Sequence, residues 1–141
     1  MSSGIEQRDP RSLKNHLVNI EIYGTSPSEE FLESVRAHGV LVPLTITTDG
    51  TVISGHSRRQ AAIMVGLDAV PCLVSSLSDP DQIVRSLIES NRQRVKTNEQ
   101  KAREAAHLFE IEKRAAAKRQ EATRLAGRNA SGDVIRKGDA S

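Results

Sequence analysis

The stretch Val52-Ile53-Ser54-Gly55-His56-Ser57-Arg58-Arg59-Gln60-Ala61-Ala62 constrains this chain more than any other. Two β-branched residues end a strand, Gly55 permits a sharp turn, and a helix follows whose first turn is polar and basic. The first N–H groups of a helix have no intrahelical acceptor and lie at the positive end of its dipole. Such a turn suits an anion, and Arg58 and Arg59 add charge to it. Basic side chains oppose the dipole there, so a counter-anion would account for them. The alternative is that Ser57 caps the helix and both arginines face water. Both readings stand at this stage.

The flanking segments predict the rest of the fold. His16 to Ile22 alternates enough to read as a first strand, preceded by a polar, disordered arm over residues 1–14. Ser26-Pro27-Ser28-Glu29 is a capping-box pattern with proline at the first helical position. Its helix places Phe31, Leu32 and Val35 on one side and stops at His38-Gly39. Leu44–Thr47, Asp49-Gly50 and Thr51–Ile53 read as a hairpin. Val70–Val74 is a short strand in which Pro71 calls for an edge position, or for an N–H that needs no partner. Asp79-Pro80 starts a helix through Ile83, Val84, Leu87 and Ile88. Thr97-Asn98-Glu99-Gln100 caps a long Ala-rich helix to about Ala126, ended by Gly127, with Ala102, Ala105, Leu108, Phe109 and Ala116 as its apolar stripe. The order β-α-β-β-α-β-α-α describes a small α+β body over residues 15–95, a basic helix over 96–126 and a tail or linker over 127–141.

Composition narrows the function. The 141 residues allow one domain with an appendage. The one cysteine, Cys72, rules out an intrachain disulfide and a cysteine zinc cage, and in a strand it is most simply a small buried residue. Three aromatic residues (Tyr23, Phe31 and Phe109) do not make a base-stacking platform. No apolar run approaches the ~20 residues that span a bilayer, so a soluble, cytoplasmic protein is expected. Up to Asn91 there are 7 Lys/Arg against 11 Asp/Glu; from Arg92 to Arg128 there are 11 against 5. The basic stretch is either a solvated helix face or a phosphate contact, giving at most weak, salt-sensitive DNA binding by this segment. His16, His38, His56 and His107 are scattered and no paired carboxylates mark a metal site, which speaks against a nuclease.

The stretch Gly55-His56-Ser57-Arg58-Arg59-Gln60-Ala61-Ala62 resembles the phosphate-binding motif of the ParB/sulfiredoxin-like superfamily. Gly39-Val40-Leu41-Val42-Pro43-Leu44, Gly66-Leu67-Asp68-Ala69-Val70-Pro71 and Ser90-Asn91-Arg92-Gln93-Arg94 resemble the segments before and after it, in the same order. The resemblance implies the mixed-sheet fold of the ParB N-terminal domain. It also implies a module that binds CTP or another nucleoside triphosphate with Mg2+, within a homodimeric DNA-partition or DNA-binding regulatory protein. Gly55, His56, Ser57, Arg58 and Arg59 fall on the first phosphate motif, and Asn91 and Arg94 on the second. The metal would fall to Asn91 and to Glu89, since Ser90 stands where the family has its glutamate. Tyr23-Gly24-Thr25-Ser26 occupies the place of the family's N-terminal Asn-Pro box. These departures leave at most a weak nucleoside triphosphatase. A sulfiredoxin would need a nucleophilic cysteine at His56. DNA would be engaged by a region beyond residue 141. The alternatives are a small-molecule kinase on the same fold, which needs a carboxylate beside the phosphates, and an interaction module without nucleotide. Arg58 is expected to hold the phosphates and, as an exposed arginine, to matter little for folding.

Overall fold

The computed structural model describes residues 4–131, with side chains through Gly127. The chain divides into two compact units, Met1–Lys101 and Ala102–Ser141. In the first, four strands lie in one mixed sheet: β1 (Glu6–Arg8), β2 (Leu44–Ile46), β3 (Val52–Ser54) and β4 (Val70–Val74), in the order β1-β4-β2-β3. The β2–β4 pair is parallel, and the β1–β4 and β2–β3 pairs are antiparallel. Helices α1 (Leu17–Ile22), α2 (Glu29–His38), α3 (His56–Val65) and α4 (Pro80–Glu89) complete the body, and α5 (Asn98–Ser131) begins in it. The α+β class is as expected.

The core explains the pattern. Leu44, Ile46, Val52, Val70 and Cys72 are fully buried on the sheet and meet Leu13 and Ala62. A second cluster, Leu32, Val35 and Ala61, joins α2 to α3. Small residues at Ala61 and Ala62 let α3 come close to both. Burial raises the pKa of the Cys72 thiol, which suits a core residue rather than a nucleophile. The hairpin turns as read: the Gly50 N–H donates to the Thr47 carbonyl at 3.0 Å, and the Thr47 N–H to the Thr51 carbonyl at 2.8 Å.

Several local expectations are corrected. His16 to Ile22 is helical from Leu17, because the His16 Nδ1 accepts the Val18 N–H at 3.1 Å and caps the turn. Its inward residues are Asn19 and Ile22, three apart, so the alternation was not the deciding pattern. The segment expected to be an arm is folded: β1 pairs with β4, Pro10–Ser12 form a 3₁₀ turn, and Leu13 enters the core. With β1 in place, β4 is an inner strand, so Pro71, opposite Gln7, is not at an edge. Helix α2 is capped by the Ser28 hydroxyl, which accepts the Phe31 N–H at 3.1 Å, so Pro27 precedes the cap rather than following it. Helix α5 does not stop at Gly127 but continues to Ser131; the rest of the expected tail lies outside the described residues. The Thr97 box that starts α5 closes as read, with reciprocal bonds of 2.9 and 3.1 Å between Thr97 and Gln100. At 1.5 Å per residue α5 is about 51 Å long. Of the expected stripe, Leu108 and Ala116 are partly shielded, whereas Ala102, Ala105 and Phe109 are exposed; Ile111, which the stripe left out, is the helix's buried residue among those described.

Candidate anion-binding site

The end of β3 and the start of α3 build one wall of a cavity. Gly55, at φ +108°, is the N-cap residue of α3, and an added Cβ there would lie 2.8 Å from Leu44 Cγ. Only glycine lets the backbone pass so close to the sheet. No side chain caps the helix, so Ser57 does not have that role; it lies inside the first turn, half-buried on the cavity. The first-turn N–H groups are therefore presented without a competing side-chain oxygen.

His56 is 5% exposed and its Nε2 accepts the His16 N–H at 3.1 Å. Burial, with the nearby charges of His16 and Arg59, lowers its pKa to about 4, so the ring is neutral at pH 7. It brings no charge to the cavity but ties the first turn of α3 to the start of α1.

The two arginines diverge. Arg58 Nη1 donates to the carbonyls of Val42 and Pro43 at 3.0 and 2.7 Å, and Nη2 lies 3.5 Å from Ser54 Oγ. Arg59 Nε donates to the Pro10 carbonyl at 2.8 Å and Nη1 to Asn15 Oδ1 at 3.2 Å, so Arg59 holds the N-terminal segment and does not line the cavity. Burial pulls both guanidinium pKa values below the ordinary arginine value, without neutralising groups of this type. Much of what these cations require is thus supplied by protein carbonyls rather than by water. Arg58→Ala should accordingly lower stability by about 2 kcal/mol, as the loss of charged hydrogen bonds to two carbonyls predicts. A melting curve checks this; an unchanged midpoint would restore the view that Arg58 is a passive surface residue.

The turn after α4 forms the opposite wall. Asn91 Nδ2 donates to the Leu87 carbonyl at 2.9 Å, and its Oδ1 accepts from Arg94 Nη1 at 3.1 Å. The Arg94 guanidinium carbon lies 5.0 Å from the centroid of the Tyr23 ring, within cation–π range. Ser90, Asn91 and Arg94 face Gly55, His56, Ser57 and Arg58 across an open cavity of about 130 Å³. Apart from the two glycines, every residue that lines it is polar or charged, which suits phosphate oxygens. Asn19, Gly24 and Ser54 also line it and were not anticipated. Asn19 is buried, donating to the Gly24 carbonyl at 3.1 Å; its one signal in the sequence is a polar residue at helical spacing from Ile22 and Tyr23. On the far side of Arg58, Phe31, Val35, Val40, Leu41 and Val42 line a mostly apolar cavity of about 340 Å³.

Glu89 does not line the cavity; its carboxylate pairs with Arg92 at 2.9 Å on the surface. Among the described residues no carboxylate lines the cavity, and Asn91 Oδ1 is committed to a cation. The residues present do not fit the expected magnesium.

A profile of the ParB N-terminal domain matches residues 4–91, well over half of the chain. The chain belongs to that family. A probable plasmid-partitioning protein ParB from Deinococcus radiodurans is 37% identical over 79 residues, 54% of this chain and 27% of that protein. A ParB-like nuclease domain-containing protein, YnaK, from Escherichia coli is 33% identical over 76 residues, 53% of this chain and 87% of that protein. A solved Pnob8-like ParB-N domain superposes with a TM-score of 0.65 at 21% identity, over 83% of this chain and 49% of that one, which shows the shared fold. This ParB-type domain spans about a quarter of the length of its partition-protein relatives. No helix among the described residues is long and apolar enough to cross a membrane.

Proposed function

We propose that this ParB-type domain is the nucleotide-responsive module of a DNA-partition or DNA-binding regulatory protein, taking the phosphates of a nucleoside triphosphate, CTP first, in the cavity between α3 and the turn after α4. One observation carries the reading. Two segments 35 residues apart, each resembling a phosphate motif of the family, converge on a single carboxylate-free cavity. The uncapped first turn of α3 supplies N–H donors, and Arg58 and Arg94 supply charge from opposite sides. The polar lining of the cavity suits the phosphates, and the apolar cavity that shares Arg58 is the surface offered to the nucleoside. DNA engagement and homodimer formation are assigned to the whole partition protein and not to this cavity. The kinase reading is disfavoured because it needs a carboxylate beside the phosphates. Hydrolysis, for the same reason, is at most slow.

Ser57→Asp separates binding from folding. An aspartate in the first turn favours the helix dipole, by about 0.3–1 kcal/mol, yet places a negative charge where the phosphate would sit. Titration calorimetry with CTP, ATP, GTP and UTP should show binding by the wild type that the variant loses by more than about tenfold. The melting temperature should be unchanged or higher. A variant that binds as well as the wild type would remove the α3 turn from the site.

A further inference from the structure

The misfit with magnesium has a structural counterpart. In the turn after α4, the amide oxygen that was expected to take the metal, Asn91 Oδ1, accepts from Arg94 Nη1 at 3.1 Å, while the amide nitrogen is held by the Leu87 carbonyl at 2.9 Å. A magnesium ion on that oxygen would sit about 2.1 Å from it, beside a guanidinium, and the two cations would repel. Glu89 cannot relieve this, because it faces Arg92 at 2.9 Å away from the cavity. Arg94 is itself held from two directions, by Asn91 Oδ1 and by the face of Tyr23, whose centroid is 5.0 Å from the guanidinium carbon. Tyr23 is 8% exposed, so its ring is a fixed platform under a side chain that would otherwise range through solvent. A guanidinium fixed in this way gives a polyphosphate the positive charge that a chelated metal would bring, with directional donors in addition.

We infer that this domain takes its polyphosphate ligand without magnesium, with the Arg94 guanidinium in the place of the metal and Tyr23 as the residue that positions it. The inference rests on the nucleotide reading above and adds the chemical form of the ligand: the free polyanion rather than its metal chelate. Magnesium should then compete with the protein for the phosphates.

The test is titration calorimetry of the full chain with CTP and with inorganic triphosphate, each in EDTA and in excess magnesium chloride. Melting curves accompany the wild type, Arg94→Gln, Tyr23→Leu and Tyr23→Phe. The wild type should bind both ligands in EDTA and lose about tenfold in magnesium. Arg94→Gln, a surface change, should lose about tenfold or more in EDTA and much less in magnesium, so that the preference for the free ligand shrinks. Tyr23→Leu should move the same ratio in the same direction by about threefold to tenfold, and Tyr23→Phe, which keeps the ring face, should restore it. A purely structural role for Tyr23 would lower affinity equally in both buffers and would overturn its positioning role. Wild-type binding that requires magnesium, or an Arg94→Gln variant with unchanged magnesium preference, would overturn the inference and leave the nucleotide reading standing. Failure of the wild type to bind either ligand in either buffer would overturn the nucleotide reading itself.

Discussion

Acidification from pH 7 to about pH 4 will remove on the order of 3 kcal/mol from the stability of this domain through His56 alone. The ring is buried, its Nε2 accepts the His16 N–H, and burial first, then the charges of His16 and Arg59, disfavour a proton there. Its pKa is about 4 in the folded protein against an ordinary 6.5, so between those values the unfolded chain binds more protons. Stability contributed by the neutral ring is complete above about pH 6.5 and is lost as the pH falls through about 4. At about 1.4 kcal/mol per unit the shift gives the figure above. Protonation would also set a ring N–H against the His16 N–H. Asp49, whose pKa is lowered to about 2 chiefly by hydrogen bonds from Thr47 and Thr51, keeps its contribution until the pH falls below the ordinary 3.8, outside this window. Urea midpoints across the range should therefore slope downward with acid in the wild type and be flatter in His56→Gln, whose amide oxygen can accept the same N–H without titrating. Equal slopes would mean that the histidine is not the titrating group.

Gly55→Ala should be the most damaging glycine-to-alanine change among the described residues, costing about 2–5 kcal/mol. Part is the positive φ of +108°, worth about 1–2 kcal/mol for a residue with a Cβ. The remainder is overpacking, about 1–3 kcal/mol, because the new Cβ would lie 2.8 Å from Leu44 Cγ and 3.3 Å from Arg58 Cζ. Leu44 is fully buried and cannot withdraw, and Arg58 would be pushed from its hold on the Val42 and Pro43 carbonyls. Gly66 is the matched control. It has φ +83° at the other end of α3, and an added methyl there would meet nothing within 4 Å, so Gly66→Ala should carry only the backbone cost. Melting temperatures of the two variants decide the matter; equal losses would show that the approach to Leu44 is not tight.

Most of this fold could be read where local chemistry and tertiary demand agree. Asp49-Gly50 turns a hairpin, Thr97 and Gln100 cap α5, and the Gly39 stop ends α2 as its residue type requires. The misreadings have a shared origin in long-range partners. β1 exists because Glu6, Gln7 and Arg8 find Cys72, Pro71 and Val70, more than sixty residues away, and nothing in a polar N-terminus announces that. The segment after His16 alternates like a strand, but a histidine cap and the inward pair Asn19 and Ile22 make it helical. For the site, Gly55, Ser57, Arg58, Asn91 and Arg94 do meet around one cavity, because strand-turn-helix geometry and a short turn after α4 are local properties. What could not be read is where the side chains of Arg59 and Glu89 go, since their partners Pro10, Asn15 and Arg92 are set by packing and by surface pairing. Tyr23 was visible only as a departure from a family box; its contact with Arg94 depends on the ring's place beside the second motif.

The most direct measurement of the central claim is an amide-resolved NMR titration of the isotope-labelled chain with CTP and ATP. Binding at the cavity predicts saturable shifts concentrated on the first turn of α3, from Gly55 to Arg58, and on Asn91 to Arg94, with the amides of α5 beyond Ala102 unmoved. Shifts confined to other surfaces, or none at saturating nucleotide, would contradict the assignment of this cavity as the phosphate site.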